Sequence, residues 1–199
     1  NAQIKKNPKT VVFAEGEDEN MLKAAIAYKN SRLGTPIVIG SEKRVKEQLK
    51  EIGLDENYNI KIVNSTDKEK RELYTKRLYS KLQRKGLLER DVDRMIRNDR
   101  VIWGSSMVEC GDADAMVTGN IRHYAASIES LKKVVEPRPG ETIFGLNMII
   151  TSKKTIFMAD TQVNDFPSAE KLTKIATSAV RVARLFGFDP KVAFLSHST

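Results

Sequence analysis

Short apolar runs alternate with longer amphipathic stretches along this chain. Thr10–Ala14 reads as a buried strand, since no polar residue interrupts it after Thr10. Asp18 can cap a helix over 19–32, with Leu22, Ala25, Ile26 and Lys29 at helical spacing. Pro36–Ile39 is the next strand. Ser41 can cap a helix through Leu49 and Ile52 that stops at Gly53. Ile60–Val63 is a third strand. A polar helix over 67–84 follows, closed near Gly86, with helical stretches at 89–97 and 99–110. Strand 114–118 leads into a helix over 121–135. Pro137-Arg138-Pro139-Gly140 then breaks the pattern. Beyond it, 142–150 and 155–159 alternate like strands. Ser168 caps a helix to 186 with Leu172, Ile175, Ala179, Val182 and Phe186 on one face, Gly187 ends it, and 191–195 is a last strand.

Strands alternating with helices predict an α/β fold: a mainly parallel sheet between helical layers, joined by right-handed crossovers. The Pro-Gly break divides a first subdomain, 3–136, from the start of a second, 137–199. Asn1-Ala2 reads as the remnant of a cleaved tag. The last strand has no helix after it to cover it. A parallel sheet needs both faces covered, so the second subdomain is expected to be incomplete and the natural chain to continue.

Composition adds mostly exclusions. The chain has 199 residues, 40% hydrophobic and 30% charged, as in ordinary globular proteins. No apolar run approaches the roughly 20 residues of a membrane span, and no secretory signal is present. With Cys110 alone there is no internal disulfide, which fits a cytoplasmic protein. One Cys with His123 and His197 is too few for structural zinc, and no metal ligand set is expected. The net charge of +8 is concentrated in Lys68–Arg100, which holds 12 basic and 6 acidic residues. That run suits a polyanion, either nucleic acid or a nucleotide-like cofactor such as coenzyme A. A solvated helical face is favoured, because the acids are interleaved and stacking aromatics are sparse, so nucleic acid is not the expected partner.

The chemistry concentrates at strand tips. In open α/β sheets ligands sit at the carboxyl ends of the strands. The turn after the first strand, Ala14–Glu19, carries four acids and one glycine, and these repel phosphate rather than cradle it. The turn after 114–118 is better suited. Gly119 allows close backbone approach, Thr118 offers a hydroxyl, and Arg122 can clamp two oxygens with His123 beside it. The alternative is a tight turn with a surface arginine and a capping histidine. Ser196, Ser198 and Thr199 can supply hydroxyls at the end of the last strand. Ser196 and His197 do not make a nucleophile–base pair, since neighbours on a strand point to opposite faces. Asp160 and Asn164 can orient a ligand or simply close their loop, and a metal at Asp160 and Asp165 lacks a ligand cluster.

Four stretches together resemble the phosphotransacetylase (phosphate acetyltransferase) family. They are VVFAEGEDENMLKAA at 11–25, GDADAMVTG at 111–119, FMADTQVNDFPSAEKLTKIA at 157–176 and FGFDPKVAFLSHST at 186–199. The resemblance implies a three-layer α/β/α fold of two subdomains like isocitrate and isopropylmalate dehydrogenases. It also implies acetyl transfer between coenzyme A and phosphate. The family's final segment, with its Asn-Asp-Leu-Ser-Arg-Gly-like motif, is absent. The family's substrate-binding arginine falls on Glu129, and its threonine pair on His123 and Tyr124. A second family arginine falls near Leu82, where Arg84 can substitute from the next turn.

Arg122-His123, Arg138-Pro139-Gly140, Asn147, Asp160–Asn164 and Ser196-His197-Ser198 look like the phosphotransacetylase-like domain of large bacterial NADP-dependent malic enzymes. That likeness implies control by acetyl-CoA or an acyl phosphate, homo-oligomerisation, and malic catalytic and NADP-binding domains in the same polypeptide. NADP and a divalent metal would belong to the parent protein and not to this domain. An active phosphate acetyltransferase is the alternative, and a basic nucleic-acid module the third.

Overall fold

Two uninterrupted apolar strands need both faces covered, and the chain supplies that cover from opposite sides. A computed structural model describes residues 6–195. These fall into two compact units, divided between Glu136 and Pro137.

The first unit holds β1 (Lys9–Phe13), β2 (Gly34–Ile39), β3 (Lys61–Val63) and β4 (Ala115–Val117) in the order β3-β2-β1-β4. All pairings are parallel, and Val12 lies opposite both Ile37 and Met116. The helices are α1 (Glu19–Asn30), α2 (Glu42–Glu51), α3 (Lys68–Leu82), α4 (Glu89–Asn98), α5 (Arg100–Glu109) and α6 (Tyr124–Val134). Alternate residues of β1 face opposite ways. Val11 and Phe13 pack with Met21, Leu22 and Ala25 of α1 and Val45 and Leu49 of α2. Val12 and Ala14 pack with Tyr74 and Leu78 of α3, Ile96 of α4 and Trp103 of α5. The result is the expected α/β/α sandwich.

Local chemistry sets the ends. Asp18 caps α1 by accepting from the Met21 N–H at 2.9 Å. Asp67 caps α3, which runs into a 3₁₀ turn at Gln83–Lys85 and stops at Gly86, φ 84°. Gly104 brings α5 onto the sheet: a Cβ there would lie 2.7 Å from Met116 Sδ and 3.2 Å from Val12 Cγ1. Asp114 ties β4 to the start of β1, accepting from Thr10 N–H at 2.8 Å and Lys9 Nζ at 2.9 Å.

Several expectations need correction. Ser41 stands at the N-cap of α2 without a side-chain cap bond; its backbone N–H is instead spent on Glu17. The helix expected over 121–135 begins at Tyr124, because residues 119–123 turn sharply after Gly119, φ 102°. In the second unit the first strand starts at Leu146, not 142.

That unit is a hairpin of β5 (Leu146–Ile150) and β6 (Thr155–Ala159), antiparallel, with α7 (Ala169–Leu185) behind it. Phe157 of β6 packs at 5.6 Å from Phe188, which follows α7. The strand expected at 191–195 has no ladder partner among the described residues; Phe194 and Leu195 there are exposed. No described helix is long and apolar enough to cross a membrane.

Candidate functional site

The strand order changes direction at β1: the chain first builds β2 and β3 on one side, then returns to place β4 on the other. In open α/β sheets the crevice at such a reversal, beyond the strands' carboxyl ends, is where ligands bind. Here it lies between the turns that follow β1 and β4. The backbone N–H groups of Gly119 and Asn120 converge in it, but they already hold an anion. Glu15, 4% exposed, places its Oε2 at 3.1 Å from Gly119 N and 2.9 Å from Asn120 N. Asn120 also donates from its side chain to Asp18 at 2.6 Å. The other Glu15 oxygen, Oε1, and the Thr118 hydroxyl are buried without hydrogen-bond partners among the described residues.

The acids after β1 therefore do more than repel phosphate. Asp18 caps it, but Glu15 fills the crevice and Glu17 collects cations. Glu17 accepts from Ser41 N at 2.7 Å, Arg100 at 2.7 Å and Arg44 at 3.3 Å. Burial opposes its ionisation, but these donors outweigh burial and hold the carboxyl below the usual glutamate range.

Arg122 does not stand free to clamp a ligand. Its Nη1 lies 2.8 and 2.9 Å from the two oxygens of Asp99, and Ser130 donates to the same carboxylate at 2.7 Å. Asp99 also caps α5 through the N–H groups of Val101 and Ile102. Burial again raises its pKa, and Ser130, Arg122 and the amide donors bring it below the ordinary aspartate value. A guanidinium neutralised by such a partner offers far less to an incoming anion than an unpaired one. His123 stands at the N-cap of α6 with its ring exposed and makes no cap bond.

Asp160 and Asn164 close their own loop. Asp160 accepts from Gly145 N at 2.7 Å and Val163 N at 3.2 Å, and Asn164 donates both to Asp160 and to Ile143 O. This is the Asx chemistry of a turn. Arg84 is exposed in the 3₁₀ turn, with no ion pair among the described residues. Glu129 points to solvent, 74% exposed, and pairs with Lys133 at 3.4 Å. Ser196, Ser198 and Thr199 lie outside the described residues. Five of the twelve basic residues in the run form ion pairs: Lys70 with Asp112, Lys81 with Glu109, Arg71 and Arg97 with Asp93, and Arg100 with Glu17.

An open cleft of about 450 Å³ lies at the carboxyl ends of β2 and β3. Its floor is Ile39, Ile96 and Trp103; its walls include Ser41, the Asn64-Ser65-Thr66 turn and the α4–α5 junction at Arg97–Arg100. Sequence reasoning passed over it. The signal was available, because Asn64-Ser65-Thr66 is a polar tip on an apolar strand, like Thr118-Gly119.

The family profile described as "Phosphate acetyl/butaryl transferase" matches residues 1–199. The chain is 41% identical over 198 residues to the NADP-dependent malic enzyme of Rhizobium meliloti (strain 1021), covering 99% of this chain and 26% of that protein. It is 34% identical over 199 residues to the phosphate acetyltransferase of Nitratidesulfovibrio vulgaris (strain ATCC 29579 / DSM 644 / CCUG 34227 / NCIMB 8303 / VKM B-1760 / Hildenborough), covering 99% of this chain and 28% of that protein. Among solved structures, the phosphotransacetylase from Streptococcus pyogenes superposes with a TM-score of 0.84 at 28% identity, covering 100% of this chain and 61% of that one. The chain thus spans about a quarter of the length of these curated relatives.

Proposed function

The chain belongs to the phosphate acetyl/butaryl transferase family, and on that footing we propose that it is the phosphotransacetylase-like domain of an NADP-dependent malic enzyme. In this reading the parent protein decarboxylates malate oxidatively to pyruvate. The domain binds acetyl-CoA or an acyl phosphate as an effector and contributes to homo-oligomerisation, without moving acetyl groups itself. NADP and the divalent metal belong to other domains of the same polypeptide. What supports placing NADP elsewhere is the turn after β1, which holds acids where a dinucleotide needs glycines.

The observation that carries the proposal is the fate of the cationic and N–H donors around β4. Arg122 is neutralised by Asp99, Gly119 and Asn120 donate to Glu15, and the position of the family's substrate arginine is Glu129. Acetyl transfer needs an unspent positive grip on the phosphoryl oxygens as charge develops. Among the residues of the first unit expected to bind, those left with capacity are Thr118, His123 and Arg84.

The test is thiol release from acetyl-CoA plus phosphate by the intact protein, with acetyl-CoA added separately in thermal unfolding. No turnover is expected, together with a rise in melting temperature, since a ligand bound only by the folded state stabilises it. Robust turnover overturns the non-catalytic reading. No thermal response at saturating acetyl-CoA overturns the effector reading.

A further inference from the structure

The crevice between the turns after β1 and β4 contains a carboxylate that no cation answers. Glu15 is 4% exposed, and its Oε1 is buried with no hydrogen-bond partner among the described residues. We propose that Glu15 Oε1 and the hydroxyl oxygen of Thr118 bind a monovalent metal cation, sodium or potassium. Thr118 ligates through a lone pair, so its O–H keeps the capacity to donate. The site goes beyond the function proposed above and does not rest on it: an ion held here serves the fold whether or not an effector binds.

The electrostatics call for a positive charge. Removing a carboxylate from water is costly unless a cation or a full set of donors replaces the water. The N–H groups of Gly119 and Asn120 serve Oε2 alone. The arginines that reach these turns are committed to other acids: Arg44 and Arg100 to Glu17, and Arg122 to Asp99. Asp18, in the same turn as Glu15, receives only neutral donors, the Met21 N–H and the Asn120 amide. Neither Glu15 nor Asp18 has an ion pair among the described residues, so backbone and amide dipoles alone meet their charge.

The ligand chemistry selects the ion. Buried polar groups left over in a native fold point to a water or an ion that completes them. Glu15 Oε1 and Thr118 Oγ1 are two such atoms, and both are oxygens. Thr118 directly precedes Gly119, whose N–H lies 3.1 Å from the other Glu15 oxygen, so the two belong to one contact between the turns. Hard cations take oxygen ligands, and potassium is held well by uncharged ones. One carboxylate charge matches one positive charge, which a water does not supply. Calcium and magnesium are less suited, because no group of three His, Cys, Asp or Glu side chains among the described residues could hold a metal. Both oxygens are shut off from solvent, which excludes an organic amine.

Thermal unfolding of the intact protein in sodium, potassium or choline chloride at equal ionic strength tests the site, since choline is too large to enter it. At least one alkali chloride is expected to raise the melting temperature by about 2 °C or more over choline, and to saturate, because an ion bound only by the folded state stabilises it. Glu15→Gln keeps the shape of the side chain and removes its charge, and the difference between the salts should vanish in it. Thr118→Val should raise the alkali concentration at half effect at least ~3-fold; it carries the test alone if Glu15→Gln does not fold. A larger response to sodium than to potassium, or the reverse, identifies the ion, and either supports the site. Equal melting temperatures in all three salts overturn it, since a bound water gives that result. So does an alkali effect that survives unchanged in Glu15→Gln or in Thr118→Val. Magnesium chloride at millimolar concentration stabilising the wild type more than either alkali salt overturns the monovalent assignment.

Discussion

Replacing Asp99 by alanine removes a side chain that serves three elements at once: the start of α5, Arg122 beyond β4, and Ser130 on α6. Loss of an N-cap costs about 1 kcal/mol. A hydrogen bond to a charged group contributes roughly 1.5–3 kcal/mol. Arg122 remains 36% exposed and so stays partly hydrated when its partner goes; that places the total at about 2–3 kcal/mol rather than higher. For a chain of this length the melting temperature should fall by roughly 5–10 °C. Trp103, the single tryptophan, lies on α5 and reports urea unfolding of the first unit by fluorescence. Asp99→Asn keeps a competent cap and should lose about half as much. The pH dependence has a definite sign. The folded pKa of Asp99 lies below its unfolded value, so its stabilisation is complete above pH ~4 and is lost as pH falls through the folded value. The gap between wild type and Asp99→Ala should stay level from pH 5 to 8 and close in acid. A loss under ~0.5 kcal/mol, or additive losses in the Asp99→Ala/Arg122→Ala double variant, would refute the network as described.

Two other substitutions probe the turns. Glu15→Ala frees the N–H groups of Gly119 and Asn120, at a cost of about 1–3 kcal/mol. Sulfate should then raise the variant's melting temperature more than the wild type's; an equal response in both would show that the vacated N–H groups do not hold anions. Arg32, at φ 55°, follows α1 in the left-handed conformation that glycine adopts freely, with Leu33 N–H returning to Tyr28 O. Arg32→Gly should stabilise by about 0.5–1 kcal/mol in chemical unfolding, and a net loss would count against strain at that residue.

Most of the first unit was legible because its signals are local. Asp18, Gly53, Gly86 and the apolar runs at 10–14 and 36–39 announce their roles within a few residues. The site was harder to read, because charge pairing is long-range. Glu15 looked like one of four acids that only repel phosphate, and its partners lie 104 and 105 residues away. Arg122 looked available, and its neutralising carboxylate is 23 residues earlier. The strand expected at 191–195 has the right pattern, but a strand is made by its neighbour as much as by its own residues.

The position of β1 at the centre of its sheet has a consequence for the order of assembly. One edge of β1 meets a partner 25 residues on, Ile37 against Val12; the other waits for Met116, 104 residues on. Closing the longer loop costs about 1.2 kcal/mol more in chain entropy, and α2 through α5 must form within it. The β1–β2 edge with α1 is therefore expected to form first and β4 to dock late. Until it does, β1 has a bare edge of unpaired backbone N–H and C=O groups, and the interval before β4 arrives is when a nascent chain is most open to mispairing with a neighbour.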